Sequence, residues 1–417
     1  MAKSNKRLSS VAVALALSGM ASAAVAGGFG IATQSGSGTG NAFAGGAAVV
    51  DDASVAWSNP AAMTALPSGS QVTVAGHLLW PSFKFTNTAS TIPPAFGTGN
   101  GGDGGEFAVV PNAFYTMTIN PSLRFGLALN VPFGLATEYD PGWQGQLTAL
   151  KSEIKTVNIN PSLAYKVSDT VSIGGGISVQ KIEAKLSAYT GAAATGNLTL
   201  DADDVGFGFN LGLFVQATPS TRVGLTYRST ISYGLEGSAI FSGPAGAAAN
   251  GQVRADLKVP DSASLSFLTA LSPQWELMGD LTYTGWSSVK RLDVIRTSGA
   301  GAGTTLTSLL FNWDNTWRMG VGANYKLDNQ TKLRFGLALD PTPTNDVDRT
   351  PRLPDQDRTW LAFGVQYKPS KQGVLEVGYA HEFIKDATVN NATVAGRLVG
   401  SFENKADILS VQYSHSF

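Results

Sequence analysis

The sequence contains no cysteine in its 417 residues. That excludes disulfides, thiolate metal sites and a lipid-modified cysteine at a processed N-terminus. Charge is scarce as well: Asp, Glu, Lys and Arg together make up 14% of the chain, against roughly 25% in an ordinary soluble domain. The formal net charge is −1, so no basic surface for a nucleic acid is expected. The three histidines, His77, His381 and His415, stand at no spacing that would build a Ser/His/Asp site. No catalytic residue, metal ligand or cofactor is therefore expected, and the chain reads as a non-enzyme. Long apolar runs are missing too: the run 11–17 falls well short of the roughly 20 residues that a membrane-crossing helix needs.

What is present begins at the N-terminus. Lys3, Lys6 and Arg7, the short apolar run and Ala24-Val25-Ala26 have the form of a secretory signal peptide, so residues 1–26 are expected to be removed and the mature chain to start at Gly27. The remaining chain of about 390 residues is long enough for two or three globular domains. Its 48 glycines and low charge speak instead for a chain with one face toward lipid and one toward water.

From about residue 70 onward, stretches of roughly ten residues or more alternate apolar with small or polar side chains. Val157, Ile159, Pro161, Leu163 and Tyr165 fall on one face, with Thr156, Asn158, Asn160 and Ser162 on the other. Fourteen such segments can be counted, near 70–85, 106–118, 122–131, 153–166, 170–187, 203–217, 221–232, 254–271, 274–288, 308–326, 331–340, 358–368, 373–385 and 404–417. Their connections alternate short and long, and every long one follows an odd-numbered segment. An even strand number with short turns on one side and long loops on the other is the pattern of an outer-membrane barrel; a soluble sandwich has no reason to obey it. The expected fold is an all-β transmembrane antiparallel barrel of about fourteen strands, formed by residues 70–417. The last strand ends in Phe417, with Tyr413, Val411 and Leu409 on the same face. This resembles the terminal aromatic signal that the barrel assembly machinery reads in outer-membrane proteins.

Residues 27–69 do not alternate. They are rich in small side chains and too few to build a core of their own. Either they form a disordered leader, or they fold into a plug inside the lumen, with short helices expected over 42–50 and 60–66. Here the residues carry a resemblance. Gly27-Gly28-Phe29, Ser37-Gly38-Thr39-Gly40-Asn41-Ala42, Asp51-Asp52-Ala53 and Asn59-Pro60-Ala61-Ala62 are similar to the hatch of the FadL-type long-chain fatty acid transporters. Val131-Pro132-Phe133-Gly134-Leu135 with Trp143, Asn158 to Tyr165, and Pro354-Asp355-Gln356-Asp357-Arg358-Thr359-Trp360 also resemble that family.

The resemblance implies a fourteen-strand barrel plugged by its N-terminal hatch. In such a barrel a hydrophobic ligand binds in an outer groove and a deeper pocket, then leaves sideways through the wall when the N-terminal residues move. Passive uptake of long-chain fatty acids is the function it implies. Neutral hydrophobic compounds such as aromatic hydrocarbons or alkanes are the alternative, and a general porin a third. Expected partners are the hydrophobic small molecule, outer-membrane lipid and lipopolysaccharide, and the assembly machinery through Phe417; a monomer is expected.

Phe29 matches the family's aromatic that meets ligand, or is a loosely packed plug residue. Asn59, Pro60 and Ala61 read as holding the hatch's shape, because Pro fixes φ and Asn caps or turns the chain. A fatty acid carboxylate wants a cation, and alternation points Arg222, Arg228, Arg318 and Arg334 into the lumen, where a charge avoids the roughly 2–4 kcal/mol penalty of facing lipid at midplane. Arg124, Lys332 and Arg358 share that face, and most of these cations are expected to pair with acids such as Asp51, Asp52, Glu276 or Asp280. Phe96 and Phe133 are expected at the outer groove, and Phe311 and Trp313 in an interfacial girdle. Pro132 reads as the outer end of the third strand rather than as a kink in it. The glycine-rich stretch 97–105 reads as a flexible outer loop.

Overall fold

The structure, a computed structural model, describes residues 27–190, 196–243, 246, 249–299 and 301–417. The expected signal peptide lies outside the described residues. No helix of the described residues is long and apolar enough to cross a membrane; the chain crosses with strands.

Fourteen strands form one closed antiparallel sheet. They are β1 (Ser70–Asn87), β2 (Ala108–Asn120), β3 (Leu123–Asn130, resuming at Gly134–Glu138), β4 (Lys151–Lys166), β5 (Val171–Tyr189), β6 (Asn197–Thr218) and β7 (Thr221–Arg228, then Ile231–Phe241). After these come β8 (Gly251–Val259, then Ser262–Ala270), β9 (Trp275–Thr284, with Arg291–Arg296 above it), β10 (Thr305–Leu310, then Thr316–Lys326) and β11 (Thr331–Asp340). The last three are β12 (Arg358–Tyr367), β13 (Gly373–Ile384, then Ala387–Thr393) and β14 (Gly396–Ser416). Strand β14 pairs with β1 from Gln71↔Ser416 to Asn87↔Gly400, so the sheet has no free edge and every spanning amide finds a partner across the seam.

Alternation sorts the side chains. On β4, Ile159, Leu163 and Tyr165 are exposed on the outside, while Thr156, Asn158, Asn160 and Ser162 are buried inside. In a soluble protein such an arrangement would be inverted; here the outer face meets lipid and the polar lumen face is covered by the hatch. The terminal Phe417 amide bonds the Ser70 carbonyl at 2.9 Å, which ties the last residue to the first strand.

Residues 27–69 run inside this cylinder and touch strands all around it. Thr39 Oγ1 meets Ser410 Oγ of β14 at 2.8 Å. Ala47 N donates to Ser266 Oγ of β8, and Thr64 Oγ1 donates to Ser172 Oγ of β5. The helices are few and short: α1 (Gly36–Thr39), α2 (Val55–Ser58) and a 3₁₀ turn at Pro60–Ala65. The helix expected over 42–50 does not form. Ala42, Phe43 and Gly45 all have positive φ (48°, 58° and 73°), and no right-handed helix can contain such residues. Residues 42–50 form a series of turns instead.

The hatch is fastened by a buried ion cluster. Arg334 of β11 grips Glu376 of β13 with two bonds of 2.9 and 2.8 Å, Asp51 of the hatch at 2.7 Å and Asn41 Oδ1 at 3.1 Å. Lys332 adds a contact to Asp51 at 3.3 Å. Burial alone would raise the Asp51 carboxyl, but Lys332 and Arg334 hold it well below the usual carboxylate range, so the pair stays charged. Removing one member of such a buried group costs about 3–5 kcal/mol, because its partners are left uncompensated. Arg334→Met is therefore expected to keep the heat-modifiable barrel but free the hatch. Limited proteolysis of the folded protein should then cut between residues 40 and 60, where the wild type resists; equal resistance would show that the cluster does not hold the hatch.

Candidate functional site

The wall is interrupted in β3 on both of its sides. Pairing with β4 runs to Asn130↔Asn158 and resumes at Gly134↔Lys155. Four steps on β3 thus face three on β4, leaving one extra residue, which is a bulge. On the other side, pairing with β2 stops at Ala113↔Leu129. Pro132 sits in this interruption, where its missing N–H costs the ladder nothing. The strand continues beyond it, so Pro132 marks a kink and not the strand's outer end. The reading from sequence failed because a proline ends a strand and bulges one with the same local signal.

The chain's own N-terminal segment closes the gap. Gly134 N donates to Phe29 O and Ile31 N to Pro132 O, both at 2.9 Å, and Gly30 forms an antiparallel bridge with Phe133. Gln34 reinforces the seal: its Nε2 donates to Val131 O at 3.0 Å and its Oε1 accepts from Asn130 Nδ2 at 2.6 Å. Asn112 of β2 donates to the carbonyls of Thr33 and Gln34. Residues 29–31 thus act as a short added strand bound to the open edge of β3.

Phe29 is buried in an aromatic cage. Its ring centroid lies 5.8 Å from Phe133, 5.1 Å from Trp286 and 5.4 Å from Trp313. These separations and tilted geometries are favourable for aromatic pairs. Gly28 before it has φ +66°, and a Cβ there would stand 3.0 Å from the Trp286 ring, so only glycine can lead the chain into the cage. Phe311 packs edge-on against Trp313 at 5.2 Å. Both residues, expected in the lipid girdle, turn inward instead: β10 is interrupted around Asn312, whose φ is 45°, and Trp313 packs on the Phe29 cage. Phe96 does not join this group. It packs with Phe85, Tyr139, Trp143 and Phe402 in a separate cluster beneath the outer loops. There the glycine-rich stretch 97–105 wraps the Trp143 indole, with Gly101 in contact with the ring, and it is no loose loop.

Below the cage lies a cavity of about 330 Å³, at the lower end of the range for small-molecule sites. Its walls combine hatch residues (Ile31, Phe43, Val55 and Trp57) with Pro132, Phe133 and Trp286. The same cavity therefore touches the kink, the cage and the hatch.

The four candidate cations differ in their partners. Arg334 is fully occupied as described and does not line the cavity. Arg318 lies between Asp280 and Asp340, at 3.7 and 3.9 Å, and donates to Ala42 O of the hatch. Arg222 sits at the turn end of β7, opposite Gln216 and Leu268, away from the cavity. Arg228 lines the cavity, half-buried. It stacks 3.3 Å over the Trp57 ring and donates to Trp57 O and Ser178 Oγ, yet it makes no ion pair among the described residues.

Asn59 and Pro60 lock the hatch from within. Asn59 Oδ1 caps Ala61 N at 3.1 Å, and its Nδ2 donates to Ala47 O and to Leu213 O of β6. Two wall glycines seat this turn: a Cβ at Gly212 would stand 2.2 Å from Asn59 Oδ1, and one at Gly174 2.5 Å from Ala61 N. Sequence reasoning missed that seat. The signal was available in glycines at inward positions of strands, where a close backbone approach is the usual reason for them.

This geometry can be compared with known proteins. Residues 17–417 match the profile of the outer membrane protein transport protein family, OMPP1/FadL/TodX. A putative outer membrane protein of Neisseria meningitidis serogroup B is 30% identical, over 91% of this chain and 92% of its own. The long-chain fatty acid transport protein of Escherichia coli K12 is 26% identical over the same shares. Among solved structures, a Pseudomonas aeruginosa FadL homologue superimposes with a TM-score of 0.87 at 25% identity, covering 94% of this chain and all of its own. The Pseudomonas putida toluene transporter TodX, at 17% identity and a TM-score of 0.67, covering 91% of this chain and 98% of its own, shares the fold. A plugged, sealed barrel with an apolar cavity, matched along nearly its whole length, is an outer-membrane channel for hydrophobic compounds and not an enzyme: the chain belongs to the OMPP1/FadL/TodX family.

Proposed function

We propose that this channel takes up long-chain fatty acids, with the carboxylate held by Arg228 and the acyl chain lying in the cavity beneath the Phe29 cage. One observation carries this reading: Arg228 is the cavity-lining arginine that makes no ion pair among the described residues. A guanidinium without an ion pair, at the edge of a mainly apolar cavity whose acids Asp51, Asp280 and Asp340 are engaged by Lys332, Arg334 and Arg318, is a poor neighbour for toluene and a good one for a carboxylate. The fatty acid transport named for the Escherichia coli relative agrees with it. Release follows when residues 29–31 leave the β3 kink and the acyl chain passes through the gap into the bilayer. No energy source is needed, since the ligand moves from a protein cavity into lipid.

The competing ligand class is a neutral aromatic or alkane. The all-apolar cage of Phe29, Phe133, Trp286 and Trp313 favours it, and toluene transport is named for the solved relative of the same fold. Oleate and oleyl alcohol separate the two readings, because they share a chain and differ in charge. A hydrogen bond to a charged group contributes about 1.5–3 kcal/mol, which is roughly ten- to hundredfold in affinity. Purified wild type should bind oleate that much more tightly than the alcohol, and Arg228→Gln should erase the difference. Equal affinities in the wild type would move the function to neutral hydrocarbons.

The side exit has its own test. Because the chain lacks cysteine, a pair placed at Gly30→Cys and Phe133→Cys is the sole thiol pair, across an antiparallel bridge with suitable spacing for a disulfide. Cells carrying the oxidised pair should take up labelled oleate at background rate, and reductant should restore uptake. Unchanged uptake by the oxidised protein would rule out movement of residues 29–31 as the gate. Phe29→Ala, which empties the cage, is expected to lower oleate affinity about tenfold or more, given about 3–5 kcal/mol for deleting a buried Phe of which only part is shared with ligand binding; equilibrium binding in detergent reads this directly.

A further inference from the structure

The hatch begins in a cluster of buried charges that does not balance. Among the described residues it holds four carboxylates, Asp280, Asp340, Asp355 and Glu382, and two guanidinium groups, Arg318 and Arg358. Arg358 pairs with Asp355 and, at 2.8 Å, with Glu382. Arg318 serves Asp280 and Asp340 at the longer distances of 3.7 and 3.9 Å. All four carboxylates are nearly inaccessible to solvent, with side-chain exposures of 3, 6, 1 and 0% in the order above. Among the described residues Asp280 Oδ1 and Glu382 Oε1 have no hydrogen-bond partner, and neither have Arg318 Nε and Arg358 Nε. An uncompensated buried charge is costly and is relieved either by protonation or by a further cation, and the two arginines leave an excess of two carboxyl groups here.

The first described residues lead into it. Gly27 N lies 3.4 Å from Asp340 Oδ2, and Gly28 N donates to Asp355 Oδ2 at 2.8 Å. Gly27 is buried, and a side chain on it would meet Pro341 O at 3.1 Å. As an internal amide, Gly27 N offers one weak donor to a carboxylate. As a chain terminus it would offer three donors and a positive charge.

We propose that the lumen wall carries a binding site for the chain's own free α-amine, in which Asp340 and Asp355 hold the ammonium of a mature N-terminus at Gly27. The proposal rests on the reading that residues 1–26 are removed; processing then creates a further cation. It also couples to the gate. Gly27 and Gly28 immediately precede residues 29–31, so the ion pair anchors the strand that seals the β3 kink. A chain that kept its leader would make the seal without this anchor.

The experiment uses the processed protein, folded in detergent. Mass spectrometry first reads its N-terminus; a chain starting anywhere but Gly27 overturns the proposal at once and leaves the transport reading untouched. The α-amine is then labelled with an acylating reagent across a pH series. An ordinary α-amine titrates at about 7.7–8.0. Each unit by which neighbouring carboxylates raise it leaves about tenfold less reactive free amine. Labelling in the folded wild type should be at least about tenfold slower at pH 7.5 than in urea. Asp340→Asn with Asp355→Asn should restore the fast rate while the barrel remains heat-modifiable. A second variant, with one alanine inserted after Ala26, moves the amine about 3.8 Å along the chain and should label fast with the wall intact. Equal rates for folded and unfolded wild type, or slow labelling that survives both variants, would overturn the site.

Discussion

Within a bilayer, a backbone N–H or C=O that lacks a partner is prohibitively unfavourable, and this barrel contains a place where its own strands fail to provide one. At Val131 to Phe133 the third strand bulges, and pairing with the second stops. The N-terminal segment supplies the missing bonds through Phe29 and Ile31. Much else in the lumen follows from that need. Phe29 must be caged for the segment to stay, Gly28 must be glycine for Phe29 to reach the cage, and the charges behind Gly27 hold the end of the segment in place. A gate built this way is closed by ordinary β-pairing.

The rest of the hatch is held differently. Arg334, Asp51 and Glu376 form a buried ion cluster, and the Asn59-Pro60 turn rests on wall glycines that leave no room for a side chain. These contacts join the hatch to β5, β6, β11 and β13 at once. The N-terminal residues, by contrast, contact the wall mainly through the kink and the cage. One continuous segment therefore combines a part fastened by buried ions and close backbone contacts with a part fastened by strand pairing and ring packing.

Much of the barrel was legible in the sequence because its physics is local. Period-two alternation and the parity of long and short connections gave the strand number and order, since each strand must show lipid one face and the lumen the other. The kink at Pro132 was not legible, because the residues of a strand end and of a bulge look alike until pairing resumes at Gly134. Phe311 and Trp313 were misplaced for a related reason: a single left-handed residue, Asn312, breaks the strand's alternation, and nothing in the composition marks it. The four lumen arginines were equivalent by alternation. Which of them is neutralised depends on where the hatch puts Asp51 and on which acids stand opposite across the barrel, so Arg228 could not be singled out until the hatch's path was known.

The fixed part of the hatch has a consequence for the cell envelope. With the turns between residues 36 and 66 bonded to the wall on several sides, the proposed movement of the first few residues alone would not turn the cylinder into a through-going aqueous tube. Under that gate, ions and polar solutes would meet a closed cross-section throughout, and the opening would face lipid. An outer membrane can thus hold many copies of such a protein without losing its permeability barrier.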